Sequence, residues 1–198
     1  MNKLIALLLC LLSQQAVIAA ESNPQELIRQ TADRVLRQIQ SNSEQYQQDP
    51  AKLYALVDEV VLPHFDFDTM VDLALGSYKS KVNAQQKPQI INEFRVLLVR
   101  TYGKALLDYN DQKIIYLPTE GSVEQGNVMV KTEIEQEGGF PIPLNYSLKA
   151  SKQGWKVYDI SVDDISLVTN YRSSFARQIK KNGVDGLIKT LHDRNQEQ

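Results

Sequence analysis

Apolar residues recur at helical spacing through the first half of the chain. Asn23 can cap a helix that opens with Pro24, because a short polar side chain suits the cap and proline suits the first turn. Asp49 and Pro50 repeat this start signal, and Pro63 ends the second helix. The pattern therefore predicts two amphipathic helices, one beginning at each proline that follows a cap.

Two more helices are predicted before the pattern changes. Asp68 can cap a short helix that runs through Leu75 and closes at Gly76. Asn83 can cap the longest helix, which is predicted to reach about Tyr109 and to extend roughly 40 Å. The apolar stripe of this helix comprises Ile90, Ile91, Phe94, Leu97, Leu98, Thr101, Tyr102, Ala105 and Tyr109. Further apolar residues lie beside the stripe, so we expect other elements to pack against this helix on more than one side.

Polar and apolar residues alternate in the second half, most clearly over 127–135 and 142–151. Such alternation predicts an antiparallel sheet with one covered and one wet face. The covered face is predicted to carry Val128, Val130, Thr132, Ile134, Ile142, Leu144, Tyr146, Leu148 and Ala150. The wet face is predicted to carry Lys131, Glu133, Glu135, Asn145, Ser147, Lys149 and Ser151. Apolar runs at 114–117 and 155–162 bring the total to four or five strands.

The positions of the glycines predict turns, and a change in the alternation of apolar residues predicts an irregular strand. Hairpin turns are predicted at 138–139 and 153–154, and a shift in the apolar positions of the last strand predicts a bulge. Two helices, at 166–181 and 184–194, close the chain. Helices followed by an antiparallel sheet predict the α+β class. A curved sheet with helices over one face can enclose an internal apolar cavity, a default place for a ligand.

Composition narrows the class of protein. The chain has 198 residues, of which 42% are hydrophobic and 23% charged, as expected for a single soluble domain. The formal net charge is -2, so there is no electrostatic case for binding nucleic acid.

The first twenty residues have the layout of a cleavable signal peptide. Lys3 precedes an apolar run at 4–12, and Ala19 and Ala20 offer small residues for cleavage. Cys10 gives a faint likeness to a lipid-attachment box, and a retained signal anchor is the other alternative. We expect cleavage, which leaves 21–198 as one domain without cysteine, in an exported compartment.

The candidate catalytic group is His64, Asp66 and Asp68, which alternate with Phe65 and Phe67. In an extended segment the phenylalanines are predicted to point inward and the polar residues outward. Asp68 is already assigned as a helix cap. We therefore expect that the protein is not an enzyme.

Two adjacent carboxylates, Asp163 and Asp164, suggest a cation site. They lack further oxygen ligands at loop spacing, so we interpret them as carboxylates at a helix N-terminus. No phosphate loop, nucleophile elbow or paired-histidine motif stands in the sequence, and no cofactor or metal is expected.

A set of short motifs is distributed in order over residues 25–193. The motifs are LPHFDFD at 62–68, LALG at 73–76, FR at 94–95, TYGKAL at 101–106, GWKVYD at 154–159, SLV at 166–168, YR at 171–172 with Phe175, and GVDGL at 183–187. Together they resemble the MlaC family of periplasmic phospholipid-binding proteins.

This resemblance implies an NTF2-like fold with an acyl-chain pocket between sheet and helices. It implies a periplasmic shuttle that carries phospholipid between an outer-membrane lipoprotein–porin complex and an inner-membrane ABC transporter with MCE domains, and so maintains outer-membrane asymmetry. A binder of another apolar molecule, such as a fatty acid or isoprenoid, is the first alternative. A small NTF2-like hydrolase or isomerase is the second.

The expected site follows from both arguments. The strand residues Val128, Val130, Leu144, Tyr146 and Leu148 rank highest, because they must face the helices. The other candidate lipid contacts are Phe65, Phe67, Leu73, Leu75, Phe94, Leu98, Tyr102, Trp155, Leu167, Tyr171 and Phe175. Lys79 and Arg172 are the candidate headgroup contacts.

Overall fold

The computed structural model describes residues 23–107 and 112–197, with helices in the first half and a sheet followed by a long helix in the second. The helices are α1 (Pro24–Ser41), α2 (Ser43–Gln48), α3 (Pro50–Val60), α4 (Phe67–Leu75), α5 (Gln86–Gly103) and α6 (Leu167–Glu197). Three 3-10 turns lie at Leu62–His64, Gly76–Lys81 and Lys104–Leu106. The strands are β1 (Ile114–Tyr116), β2 (Glu120–Ser122), β3 (Asn127–Ile134), β4 (Ile142–Ser151), β5 (Gly154–Val162) and β6 (Ile165–Ser166). Within this part of the chain no helix is long and apolar enough to cross a membrane.

The predicted starts of α1 and α3 are confirmed. The side chain of Asn23 accepts a hydrogen bond of 2.9 Å from the backbone N–H of Gln25. Asp49 accepts one of 3.2 Å from the N–H of Ala51 in the same way. Both caps are local, because the acceptor and the donor are two residues apart. Helix α2 was not predicted, since its six residues hold too few apolar positions to show a period.

The predicted cap of α4 was wrong by two residues. Asp66, not Asp68, accepts the backbone N–H of Thr69 at 2.9 Å, and the helix begins at Phe67. Asp68 instead lies exposed in the first turn, where its carboxylate is 2.9 Å from the Nζ of Lys87. The predicted closure is confirmed, since Gly76 ends the helix with φ 53°.

Helix α5 is capped as predicted but is shorter. The side chain of Asn83 accepts the N–H groups of Gln85 and Gln86 at 2.9 Å, and Gln86 accepts the N–H of Asn83 at 3.1 Å. The helix then runs for 18 residues, about 27 Å. It ends at Gly103, which lies against the ring of Tyr54, and a 3-10 turn follows. The predicted end near Tyr109 lies outside the described residues.

The strands form one antiparallel sheet in the order β1-β3-β4-β5-β6, with β2 also pairing with β3. The four longer predicted strands are confirmed, and β2 and β6 are short additions. The predicted bulge is also confirmed. Ser147 pairs with Asp159 whereas Leu148 pairs with Val157, so Tyr158 is the extra residue of β5.

Three predicted positions on the sheet were wrong. Ile142, expected to be covered, is 37% exposed at the start of β4. Asn145, expected on the wet face, is buried, because it lies in a central strand between its register partners Lys131 and Ser161. Ala150, expected to be covered, is exposed near the hairpin end of β4.

The expected role of Asp163 and Asp164 was also wrong. They form the two-residue turn between β5 and β6, with φ of 49° and 60°, as a tight hairpin requires. The carboxylate at the N-terminus of α6 belongs to Asp159. Its side chain accepts the N–H of Val168 at 3.1 Å and the hydroxyl of Ser166 at 2.6 Å.

Helix α6 consists of two helical segments, as predicted. Gly183 interrupts it with φ 72° and ψ −175°, a backbone conformation that only glycine adopts readily.

The apolar interior falls into three clusters. The helical core joins α4, α5 and α6 and centres on Phe94 and Phe175. The sheet core joins α1 to β3, β4 and β5 around Val130 and Leu148. A third cluster joins α1, α2 and α3 around Leu53.

Candidate functional site

One face of the sheet is a continuous apolar surface, called the inner face below. Register places Val128 opposite Leu148 and Val130 opposite Tyr146, so these side chains project from the same side. The next rows on this face are Thr132, Leu144, Val162 and Ile165, and then Ile114, Ile134 and Ile142. None of these residues carries a charged side chain.

Exposure changes along the inner face. Val130 and Leu148 are 0% exposed, whereas Ile142 is 37%, Val162 is 42% and Ile165 is 65% exposed. We call the part around these last three residues the open end. Large apolar side chains that are exposed together on a soluble protein mark a binding surface.

Helices meet the sheet on either side of β4. Helix α1 packs on β3, while α4 and α6 pack on β5, and α5 packs mainly on the other helices. Strand β4 lies between these two contacts. On that strand Leu144 and Tyr146 keep partial exposure, and Tyr146 also packs against the sheet core.

Two tyrosines meet where the end of α5 approaches the start of α6. Helix α6 begins directly after β6, and its Tyr171 is hydrogen-bonded to Tyr102 near the end of α5. Burial, reinforced by the neighbouring hydroxyl of Tyr102, raises the pKa of Tyr171 to about 12. Burial also raises the pKa of Tyr146 on the inner face. Both phenols are therefore uncharged at neutral pH, which suits an apolar ligand.

The structure distributes the predicted lipid contacts over two cores. The helical core includes Phe65, Phe67, Leu73, Leu75, Phe94, Leu98, Leu167, Tyr171 and Phe175. The sheet core includes Phe65, Val128, Val130, Tyr146, Leu148 and Trp155. Phe65 belongs to both and joins them. Leu144 lies further along the inner face, and Tyr102 is exposed.

The two candidate headgroup residues lie at the end of α4. Lys79 is 2.5 Å from the carboxylate of Asp72. Arg172 donates from Nε to the carbonyl oxygen of Leu73 at 2.8 Å, and its stem packs against Gly76. These contacts hold the carboxyl end of α4, and headgroup contact by either residue stays a prediction.

Asp66 joins α4 to the sheet. Its carboxylate is 2.6 Å from the Nζ of Lys149 on β4, and its N–H donates to the carbonyl of Val157 at 2.8 Å. Burial alone would raise the pKa of Asp66, but hydrogen bonds from Lys149 and Thr69 outweigh it and hold the pKa below its usual value. Asp66 is therefore partly buried in an ion pair with a lysine of the predicted wet face, and it is not free in solvent.

The other two members of the candidate catalytic group have separate surroundings. His64 is partly buried, and burial, followed by the charges of Lys156 and Arg34, lowers its pKa. Asp68 is paired with Lys87 on the surface. The three polar side chains thus engage different partners, which disfavours the catalytic alternative.

Two grooves lie on the outside of the helical layer. One, of about 360 Å³, is lined by Lys87, Pro88 and Arg95 among others. The second, of about 330 Å³, lies between α1 and α3. Both are at the lower limit of the usual range for ligand pockets and have charged walls. The expected internal cavity between sheet and helices stays a prediction.

Metal binding finds no support in the described ranges, where no three histidine, cysteine, aspartate or glutamate side chains gather in a metal-binding group.

Sequence reasoning missed the site's exposed rim. Alternation placed Ile134 and Ile142 on the covered face, but it carries no signal for where the helical cover ends. Val162 and Ile165 were missed because they flank a turn that was interpreted as a helix start.

Residues 29–193 match the protein family described as MlaC protein. The intermembrane phospholipid transport system binding protein MlaC of Haemophilus influenzae is 31% identical over 173 residues, which cover 85% of this chain and 80% of that protein. The toluene tolerance protein ttg2D of Pseudomonas putida is 27% identical over 186 residues, covering 93% of this chain and 86% of that protein.

The fold also matches a solved structure. The phospholipid-binding protein of Ralstonia solanacearum, determined in complex with a phospholipid, superimposes with a TM-score of 0.82 at 32% identity. The match covers 89% of this chain and 98% of that one. The α+β class and the general arrangement predicted from the sequence are thereby confirmed.

Proposed function

The chain belongs to the MlaC family, and from that membership we propose that it is a periplasmic carrier that binds one phospholipid and moves it between membranes. The observation that carries this proposal is the inner face, which is uncharged and largely apolar and passes from a buried end to an open end. A ligand made of hydrocarbon with a polar end matches such a surface.

The dimensions of the inner face suit an acyl chain. From Val130 to Ile134, β3 extends over four residue steps of about 3.4 Å, or about 14 Å, before the packed row of Val128 and Leu148. One acyl chain occupies about half of a hydrocarbon core of roughly 30 Å, or about 15 Å. An extended chain therefore fits along the face, with the glycerol and headgroup at the open end.

Among the candidate contacts we place Leu144 and Tyr146 against the acyl chains, with Tyr102 and Tyr171 at the mouth. All four side chains keep some exposure, and the two on the helices are hydrogen-bonded to each other. Fully buried candidates such as Phe94 and Phe175 have a structural role, because they pack against each other with their ring centroids 5.3 Å apart.

The free-energy cost of exposing acyl chains to water explains why a carrier is needed. Two acyl chains with roughly 30 methylenes would cost on the order of 20 kcal/mol in water, at about 0.8 kcal/mol per methylene. A lipid sheathed this well leaves slowly unless a partner provides another apolar surface. We propose the partners implied by the family: an outer-membrane lipoprotein–porin complex and an inner-membrane ABC transporter with MCE domains.

Residues 1–20 are proposed to direct export to the periplasm and to be cleaved there. The carrier would then be the single domain 21–198.

Native mass spectrometry of protein exported with its own signal tests the function. We expect a diacyl phospholipid at close to one per chain, on a chain that begins near residue 21. Fatty acid or isoprenoid in its place would favour the binder of another apolar ligand, and empty protein would contradict the proposal. His64→Ala should keep full occupancy, because its side chain is not on the inner face.

A further inference from the structure

The hairpin between β3 and β4 exposes an aromatic residue at its tip. Phe140 is 93% exposed, and Pro141 and the partly exposed Ile142 follow it. A phenylalanine ring presents a large apolar area, and holding it in water on a hairpin has no benefit to folding. The side chain is therefore available to an external surface.

A second hairpin tip lies beside the first. The N–H of Asp163, in the β5–β6 turn, donates to the carbonyl of Pro143 at 2.9 Å, and Leu144 pairs with Val162. The two tips thus form one surface, the tip surface. Its apolar members are Phe140, Ile142, Val162 and Ile165, and its acidic members are Glu135, Glu137, Asp163 and Asp164.

The charge of this surface restricts what can cover it. The segments 135–142 and 162–166 contain four acidic residues and no lysine or arginine. Two lysines outside these segments reduce this charge, because Lys113 lies 3.9 Å from Glu135 and Lys131 interacts electrostatically with Asp164. The surface therefore keeps an excess of negative charge. Anionic membrane surfaces attract basic segments and repel acidic ones. A second copy of this chain would bring the same four carboxylates.

We propose that the tip surface is the docking site for an envelope-membrane protein whose apolar socket receives Phe140 and whose rim carries lysine or arginine. Buried aromatic anchors surrounded by complementary charge are typical of such interfaces. The tip surface includes the open end of the inner face, so docking would bring the partner to the lipid exit. The choice of an envelope-membrane protein as the occupant and the delivery to the lipid exit rest on the proposed function, whereas the apolar and acidic character of the tip surface does not.

Co-sedimentation with membrane vesicles tests the proposal. Native envelope vesicles from the source organism are compared with the same vesicles treated with trypsin, and with protein-free vesicles made from their extracted lipids. We expect saturable binding only to untreated native vesicles, weakened at least tenfold by Phe140→Ser. Val123→Ser is the matched control, because Val123 is 46% exposed in the β2–β3 turn at the opposite end of β3.

Charge is tested separately. Asp163→Asn and Asp164→Asn remove two carboxylates while keeping side chains that tolerate positive φ. We expect weaker binding with a smaller dependence on salt, and no change for Glu124→Gln at the far turn.

Equal binding of wild-type protein to protein-free vesicles would show that the tip enters lipid and would overturn the proposal. Equal effects of Phe140→Ser and Val123→Ser, no trypsin-sensitive binding, or self-association that Phe140→Ser abolishes would also overturn it. Native mass spectrometry of the variants keeps the two proposals apart. Full lipid occupancy in a variant that no longer docks leaves the carrier function standing, and empty protein that still docks leaves the docking site standing.

Discussion

Replacing Leu144 or Leu148 of β4 with tryptophan tests whether each leucine lies on the proposed lipid-binding surface or in the packed core. Leu144 and Leu148 project from the same face of one strand, about 13 Å apart at roughly 3.3 Å per residue. Leu148 is fully buried, so Leu148→Trp overpacks the sheet core and should cost about 1–3 kcal/mol. Leu144 keeps partial exposure near the open end, so Leu144→Trp should cost less than about 1 kcal/mol and occupy the space of an acyl chain.

The assay combines unfolding of delipidated protein with lipid content per chain. For a domain of this size, 1 kcal/mol shifts Tm by about 2–4 °C. Leu148→Trp should therefore lower Tm by about 2–12 °C. Leu144→Trp should leave Tm within about 4 °C of wild type and greatly reduce the bound phospholipid. Ser147→Trp, from the other face of β4, is the control and should change neither quantity by much.

The opposite pattern would refute this reasoning. If Leu144→Trp kept full lipid occupancy and lost several kcal/mol of stability, the surface at Leu144 would be solid core. The acyl chains would then have to lie among the helices, where Phe94 and Leu98 are the predicted contacts.

Three further predictions concern the framework that supports the site. Asp66→Ala removes the cap of α4 and the ion-pair partner of Lys149. We expect it to lower the free energy of unfolding, measured in urea, by about 1–2 kcal/mol. The control Asp68→Ala should change this free energy by less than about 0.5 kcal/mol. The folded-state pKa of Asp66 lies below its unfolded value, so its contribution should be complete above about pH 4 and lost as pH falls through the folded pKa; a difference between wild type and Asp66→Ala that stays constant or grows as pH falls from about 4 would contradict this. Gly183→Ala should cost about 1–3 kcal/mol in the same urea assay, because alanine is strained at φ 72° and ψ −175°, and an unchanged midpoint would show that α6 straightens instead.

The sequence predicted features that depend on nearby residues. The caps at Asn23 and Asp49 and the break at Gly183 each involve neighbours in the chain, so short motifs identify them. The bulge of β5 was visible for a related reason. Tyr158 adds one residue to the strand, and the apolar positions change phase at that point.

Features that depend on distant residues were not predictable in this way. Asp66 and Asp68 are equally good caps by residue type, and the choice follows from Lys149 on β4, which pairs with Asp66. The exposure of the open end also depends on residues that are distant in the sequence. Alternation shows that Leu144 and Leu148 share a face, but only the placement of α1 and Phe65, which pack in the sheet core with Leu148, decides which of them is covered.

The depth of the binding surface follows from that placement. Between Ile142 and Tyr146 the inner face extends over four steps, about 13 Å, before it reaches Leu148, which is packed on all sides. This distance is close to the roughly 15 Å that one acyl chain occupies in a membrane leaflet. In the proposed carrier, the closed end would act as a stop, and a chain pressed against it would leave its ester and headgroup at the open end. A partner that docks on the tip surface would meet the lipid by its polar end first, so the acyl chains could remain sheathed until the partner's own apolar surface adjoins the inner face.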